Sequence, residues 1–192
     1  IGLAKQLKAD FEIVEVDALS DKLITANDGE RCYHCKRAML VALKQCADND
    51  GCHIIIDGTN ASDDINDRPG YRALCEMDVC SPLREFGFTK SDVRELSRRR
   101  GLFTWDKHSY SCLATRICRG EEITAEALER IERAETFLND MGYYDFRVRY
   151  ADRCAKIEIK RGQNNKFQTE KNKIFAALSQ YFDRVEQSDI LR

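Results

Sequence analysis

The chain has 192 residues, 43% hydrophobic and 33% charged, with Pro at only two positions. That mix can bury a core and excludes a disordered or low-complexity chain. Lys plus Arg number 31 against 33 Asp plus Glu, and the net charge of −2 leaves no basic footprint for bulk nucleic-acid binding.

The opening IGLAKQLKADFEIVEV has no apolar signal-peptide core and no small-residue cleavage site. It reads as the end of a helix followed by a strand over Phe11–Val16, so the chain is expected to start inside a domain. Cys32 to about Ala47 has helical periodicity, with Met39, Leu40 and Leu43 on one stripe. His53–Ile56 predicts a short buried strand. It ends in the turn Asp57-Gly58-Thr59-Asn60, at the kind of strand edge where open α/β sheets place ligands. Pro69 and Gly70 break the chain before a short helix through Arg72–Glu76, and Ser81-Pro82-Leu83 reads as extended. Thr89, with Asp92 three residues on, predicts a capped helix that closes at Gly101.

Leu102–Arg116 has no clear period and is expected to be a long loop carrying Trp105, His108 and Cys112. Beyond Gly120, Thr124 caps a long helix ending at Gly142. Phe146–Tyr150 alternates as a strand with Arg147 and Arg149 on one face. Cys154–Lys160 predicts a second strand and Gln168–Phe182 a helix. The order implies a parallel α/β domain over residues 1–119 and a small α+β domain over 120–192.

Nine cysteines, an odd number without a secretion signal, argue for a reducing cytoplasm rather than a disulfide framework. Cys32-Tyr33-His34-Cys35 is a CxxC at a helix start, where the dipole favours thiolates that hold metal or attack an electrophile. Two ordinary helix cysteines remain the alternative, and His34 reads as a packed or surface residue. Cys112 lies four residues before Arg116, a charge that could activate its thiol; a buried structural cysteine is the bland alternative. Cys46, Cys52, Cys75, Cys80, Cys118 and Cys154 show no ligand spacing. Arg147 and Arg149 could grip a phosphate or line a solvated face. Glu132 and Glu135 read as helix-surface charges, with a place facing the same site as the arginines the alternative for Glu135, and Trp105 reads as a core residue.

Several motifs in order are informative together: Asp57-Gly58-Thr59-Asn60, Asp67-Arg68-Pro69-Gly70, Ser81-Pro82-Leu83, Thr89-Lys90 with Asp92-Val93-Arg94, Trp105-Asp106-Lys107, Ser111-Cys112-Leu113-Ala114-Thr115-Arg116 and Arg147-Val148-Arg149. The ordered set resembles the LarE family, ATP-dependent sulfur transferases of nickel-pincer cofactor biosynthesis within the PP-loop ATP pyrophosphatases. The resemblance implies a Rossmann-like parallel sheet of the PP-loop type, lacking its first strand and the SGGxDS loop expected upstream of Ile1. Without that loop this stretch alone is expected to bind ATP poorly.

The implied reaction uses ATP with Mg2+ to adenylate a pyridinium dicarboxylate mononucleotide, and sulfur then replaces a carboxylate oxygen. The resemblance puts Cys112 at the sulfur-donor position. With Cys32 and Cys35 it makes three ligands for a 4Fe-4S cluster, as in the cluster-bearing members rather than those that sacrifice a cysteine. It puts Asp57, Gly58 and Arg116 by the nucleotide, and Arg147, Arg149 and Glu135 by the substrate phosphate. A cytoplasmic homo-oligomer that needs neither membrane nor nucleic acid is implied. His108 stands where the family often has Pro. A tRNA thiolase of the same superfamily, or a non-catalytic iron–sulfur or zinc module, are the competing readings.

Overall fold

The computed structural model describes residues 1–65, 68–108 and 110–189. They divide into two compact units, one made of residues 1–24 with 29–109, the other of 25–28 with 110–192. Among the described residues no helix is long and apolar enough to cross a membrane.

The first unit is helical: α1 (Gly2–Leu7), α2 (Lys22–Thr25, at the junction of the units), α3 (Arg31–Asn49), α4 (Pro69–Glu76), α5 (Pro82–Glu85) and α6 (Lys90–Arg99). Helices α3 and α4 pack through Leu40, Ala73 and Leu74, with Tyr33 and Tyr71 at the margin. The Arg72 guanidinium lies 3.7 Å over the Tyr33 ring, and the Tyr33 hydroxyl donates to Glu76 at 2.7 Å. Met39 and Leu43 stay exposed, so the apolar stripe expected on α3 narrows to Leu40. Thr89 caps α6 with a reciprocal capping box to Asp92, and Gly101 follows with a φ of 65° that suits glycine.

Sheet structure in this unit is sparse. Phe11–Val16 forms no ladder, and Phe11 and Ile13 are exposed. The 53–56 run makes one parallel bridge, Ile56 to Cys80, and is not buried: Ile54 is 73% exposed and Ile56 64%. A parallel strand buries both faces only when further elements flank it, and this run lacks such cover among the described residues. Pro82 begins helix α5 instead of an extended stretch, because its fixed φ and missing N–H suit the first helical position. Trp105 is 41% exposed rather than a core residue.

The second unit holds the larger core. Helix α7 (Ala125–Asp140) starts where Thr124 accepts from the Ala127 N–H at 3.1 Å. Strand β1 (Arg147–Ala151) pairs antiparallel with β2 (Cys154–Glu158). Asp152 and Arg153, both at positive φ, make the two-residue turn whose twist matches the strands. Helix α8 (Asn164–Leu178) then crosses to β3 (Arg184–Gln187), which pairs parallel to β2. Ile131, Ala134 and Leu138 of α7, Val148, Ala155, Ile157 and Ile159 of the strand region, and Phe167, Ile174 and Leu178 of α8 are all buried. Each large side chain among them contributes about 1.5–3 kcal/mol by leaving water.

Residues 110–119 pack with this second unit. Ile117 is buried and bridges Tyr150 in parallel, and the Cys118 N–H donates to the Tyr150 carbonyl at 3.0 Å. The contact boundary therefore lies near residue 110, ahead of the 119/120 boundary expected from the change in sequence pattern.

Candidate functional site

Two arrangements hold the residues singled out in the sequence, one in each unit. In the first unit, the chain from Ile55 to Asp57 runs beside Cys80. The Cys80 N–H donates to Ile55 O at 3.0 Å and the Asp57 N–H to Cys80 O at 2.9 Å. Asp57 then accepts from the Thr59 N–H at 3.1 Å, the Thr59 hydroxyl at 2.6 Å and the Ser81 hydroxyl at 2.7 Å. The carboxylate so fixes the turn at the end of the bridge.

A cavity of about 250 Å³ opens at this turn, lined by Cys32, Lys36, Asp57, Thr59, Arg68 and Tyr71 among others. Cys32 is exposed in the first turn of α3, and the Arg31 guanidinium donates to its sulfur at 3.4 Å. Lys36 stands one turn on, so it shares a helix face with Cys32. Gly58 belongs to the turn but does not line the cavity. The sequence reading missed Lys36, for which the i, i+4 spacing from Cys32 was the available signal, and it quoted Thr59 and Arg68 as motif members without giving either a role. Asp67 of the Asp-Arg-Pro-Gly motif lies outside the described residues.

A Cβ added at Gly70 would sit 3.3 Å from the Cys32 carbonyl oxygen and 3.5 Å from the Lys36 Cβ. Gly70→Leu is expected to push α4 off the first turn of α3 at a cost of about 1–3 kcal/mol, the scale of overpacking. Trp105, the single tryptophan, belongs to this unit and would report the loss by fluorescence-monitored urea unfolding.

Burial by itself would raise the Asp57 carboxyl, but hydrogen bonds from Thr59 and Ser81, with Lys36 nearby, outweigh it and hold it below its ordinary value. A depressed carboxylate stabilises the fold above its unfolded value, about 3.9 for aspartate, and that stabilisation disappears as pH falls through the lower folded value. The stability difference between the native protein and Asp57→Asn is thus expected at neutral pH and expected to shrink in acid. Acid unfolding curves of both proteins, followed at Trp105, check this; a gap unchanged in strong acid contradicts it.

In the second unit, Cys112 is exposed and precedes a 3-10 turn, Leu113–Arg116. Arg116 is buried. Its Nε and Nη2 donate to Glu135 at 2.6 and 3.1 Å, and its Nη1 to the Ser111 and Thr115 hydroxyls at 2.6 and 3.0 Å. Glu135 is buried too, on α7, which corrects its reading as a helix-surface charge. It also accepts from the Val148 N–H at 3.0 Å and the Tyr110 hydroxyl at 2.9 Å. Burial, then the charge of Glu135 and the hydrogen bond to it, push the Tyr110 hydroxyl up to about 12, which keeps it a donor.

Arg147 and Arg149 share one face of β1, half-buried, opposite the core face carrying Val148 and Tyr150. Arg149 donates through Nε to Glu158 at 2.9 Å and through Nη1 to the Thr115 carbonyl at 2.8 Å.

Cys32 and Cys35 thus belong to the first unit and Cys112 to the second. Among the described residues none of the nine cysteines forms a disulfide. Cys46 meets Glu12 and Asp50 in a cluster of metal-ligating type. The hydrogen bond to Glu12, with some burial and the nearby acidic charges, raises that thiol, which favours a protonated donor over a metal-binding thiolate.

No protein-family model matches the sequence. Individual relatives do. An uncharacterized protein of Synechocystis sp. is 39% identical over 81% of this chain and 58% of its own length. The pyridinium-3,5-bisthiocarboxylic acid mononucleotide synthase of Lactiplantibacillus plantarum is 31% identical over 83% of this chain and 58% of its own length. An uncharacterized protein of Methanocaldococcus jannaschii is 32% identical over 93% of this chain and 68% of its own length. The chain therefore spans between half and about two thirds of the curated relatives it matches, and it belongs to the family of the pyridinium-3,5-bisthiocarboxylic acid mononucleotide synthase, the LarE family.

Proposed function

We propose that the full-length protein is an ATP-dependent sulfur transferase that converts a pyridinium dicarboxylate mononucleotide to its thiocarboxylate. The observation that carries this reading is the 31% identity to a named synthase of such a product, over 83% of the chain. In the proposed reaction a substrate carboxylate oxygen attacks the α-phosphorus of ATP, and pyrophosphate leaves. The acyl-adenylate carbonyl then accepts a sulfur nucleophile and AMP leaves, so oxygen is exchanged for sulfur. The fold that accompanies this chemistry is the PP-loop type of Rossmann-like sheet, and the turn at Asp57 with its cavity is the part of this chain assigned to the nucleotide. Arg147 is assigned to an anionic group of the substrate. The cytoplasm and a homo-oligomer are the setting proposed for the protein.

Cys112, exposed on a fixed turn, is assigned to sulfur delivery. Cys32 and Cys35 stand three residues apart in the first two turns of α3, one exposed and one half-buried, and Cys112 is exposed. The family resemblance, rather than any placement of the two units, is the support for joining these three thiols in a 4Fe-4S cluster with one iron left without a protein ligand, and such a cluster would supply sulfide at that iron. The residues that would hold it are Cys32, Cys35 and Cys112.

The experiment is anaerobic reconstitution of the full-length protein, followed by incubation with ATP and pyridinium-3,5-dicarboxylic acid mononucleotide. The expected result is substrate-dependent pyrophosphate release, a product heavier by an oxygen-to-sulfur exchange, and about four irons per chain, depleted in Cys32→Ala. Absence of pyrophosphate release with bound substrate overturns the function. A full iron complement in Cys32→Ala overturns the ligand assignment, as does a colourless active protein that ends with dehydroalanine at position 112.

A further inference from the structure

The turn that carries Cys112 is gripped from both of its ends by arginines whose charges are matched elsewhere. Arg116 closes the turn and points inward to Glu135, and its Nη1 reaches back to the Ser111 hydroxyl, one residue before Cys112, and to the Thr115 hydroxyl, three residues after it. Arg149 comes from β1, is balanced by Glu158, and donates to the Thr115 carbonyl. Thr115 is the hub: its hydroxyl accepts from Arg116 and donates to the Cys112 carbonyl at 2.7 Å, while its N–H meets the same carbonyl at 2.9 Å. Glu135 is itself tied to β1 through the Val148 N–H. The main chain at Cys112 is therefore connected by hydrogen bonds to α7 and to two strands, while its side chain stays exposed.

We infer that Thr115, Arg116, Glu135 and Arg149 are positioning residues for Cys112, fixing the direction in which its sulfur leaves the turn. The inference rests on the reading of Cys112 as the sulfur-delivering residue. It also departs from the expectation that Arg116 meets nucleotide phosphates and that Glu135 and Arg149 meet substrate: Nε, Nη1 and Nη2 of Arg116 all donate within the protein, and the pair is buried. Two charges that cancel in the interior leave little net field at an exposed thiol, so the device acts through geometry. A displacement of about 1 Å in a reacting group costs on the order of 100-fold in rate, which sets the scale at stake.

The test uses Thr115→Val, which keeps the shape and removes the hydroxyl, and Thr115→Ser, which restores it, both in the full-length protein. Thr115→Val is expected to lower the kcat of sulfur transfer about 10- to 100-fold. KM and substrate-dependent pyrophosphate release should stay as in the native protein, and Thr115→Ser should recover most of the loss. Arg149→Lys, which removes the grip on the Thr115 carbonyl without touching the buried pair, should act in the same direction. A general loss of folded protein would lower pyrophosphate release and transfer together, and that result would overturn the inference. So would Thr115→Val and Arg149→Lys proteins that transfer sulfur at the native rate. If Cys112→Ser itself transfers sulfur normally, the underlying reading of Cys112 fails, a result distinct from the other two.

Discussion

Cys112→Ser is expected to stop sulfur transfer while sparing both the fold and pyrophosphate release. The side chain is exposed, so the change removes little packing, and the turn is held by the Cys112 carbonyl rather than its sulfur. A serine hydroxyl is a far poorer iron ligand than a thiolate, so the proposed cluster would lose one of its three protein ligands and the sulfide it would supply. Loss of a single group at the centre of a reaction lowers rates by roughly a thousandfold or more. The measurement pairs pyrophosphate release with mass spectrometry of the nucleotide product. Continued release with no thiocarboxylate is the expected pattern, and thiocarboxylate formed at the native rate contradicts it. Since the chain covers 58% of the named relative's length, the assay belongs to the full-length protein.

Glu135→Ala carries the largest expected cost in stability. The Arg116 and Glu135 side chains are 2% and 3% exposed. Removing the carboxylate strands a guanidinium in the interior and orphans donors from Val148 and Tyr110. Breaking a buried pair on one side costs about 3–5 kcal/mol, more than the pair contributes over an apolar replacement of the same volume. Glu135→Gln should cost less, because the amide still accepts from Arg116 although its charge is gone. Tryptophan fluorescence would miss the effect, as Trp105 belongs to the other unit. Hydrogen exchange at the β1 and β2 amides during urea titration reads it directly. A Glu135→Ala protein with unchanged midpoint at those amides would contradict the account.

What the sequence revealed follows the range over which each element is decided. Thr124, the apolar spacing of α7 and Gly142 lie within one segment, so the helix and both its ends could be anticipated. The same holds for β1 and β2, where alternation and a two-residue turn act locally. Strand β3 is four residues long, mixes Arg and Glu with Val and Gln, and pairs only after a crossover, so nothing within 184–187 announces it. At 53–56 the apolar composition suggested burial, but composition cannot say whether neighbours arrive to cover it. Within the site, the CxxC and the turn at Asp57 were visible as motifs. The cavity joining Cys32 to Asp57 needed two separate segments to meet. Glu135 misled for a similar reason: a carboxylate on a helix is ordinarily solvated, and only its partner 19 residues earlier explains its burial.

The order in which the second unit can assemble is written into its sheet. Strands β1 and β2 close over Asp152 and Arg153, a small loop that costs little entropy, whereas β3 reaches β2 only once α8 has formed and crossed. Long closures come late in assembly and short ones early. The hairpin is then expected to form first, with α7 packing against it, and β3 to join last. Reversible opening is expected to run the other way, so amides of the parallel edge should exchange before those of the paired hairpin and the clasped turn beside it.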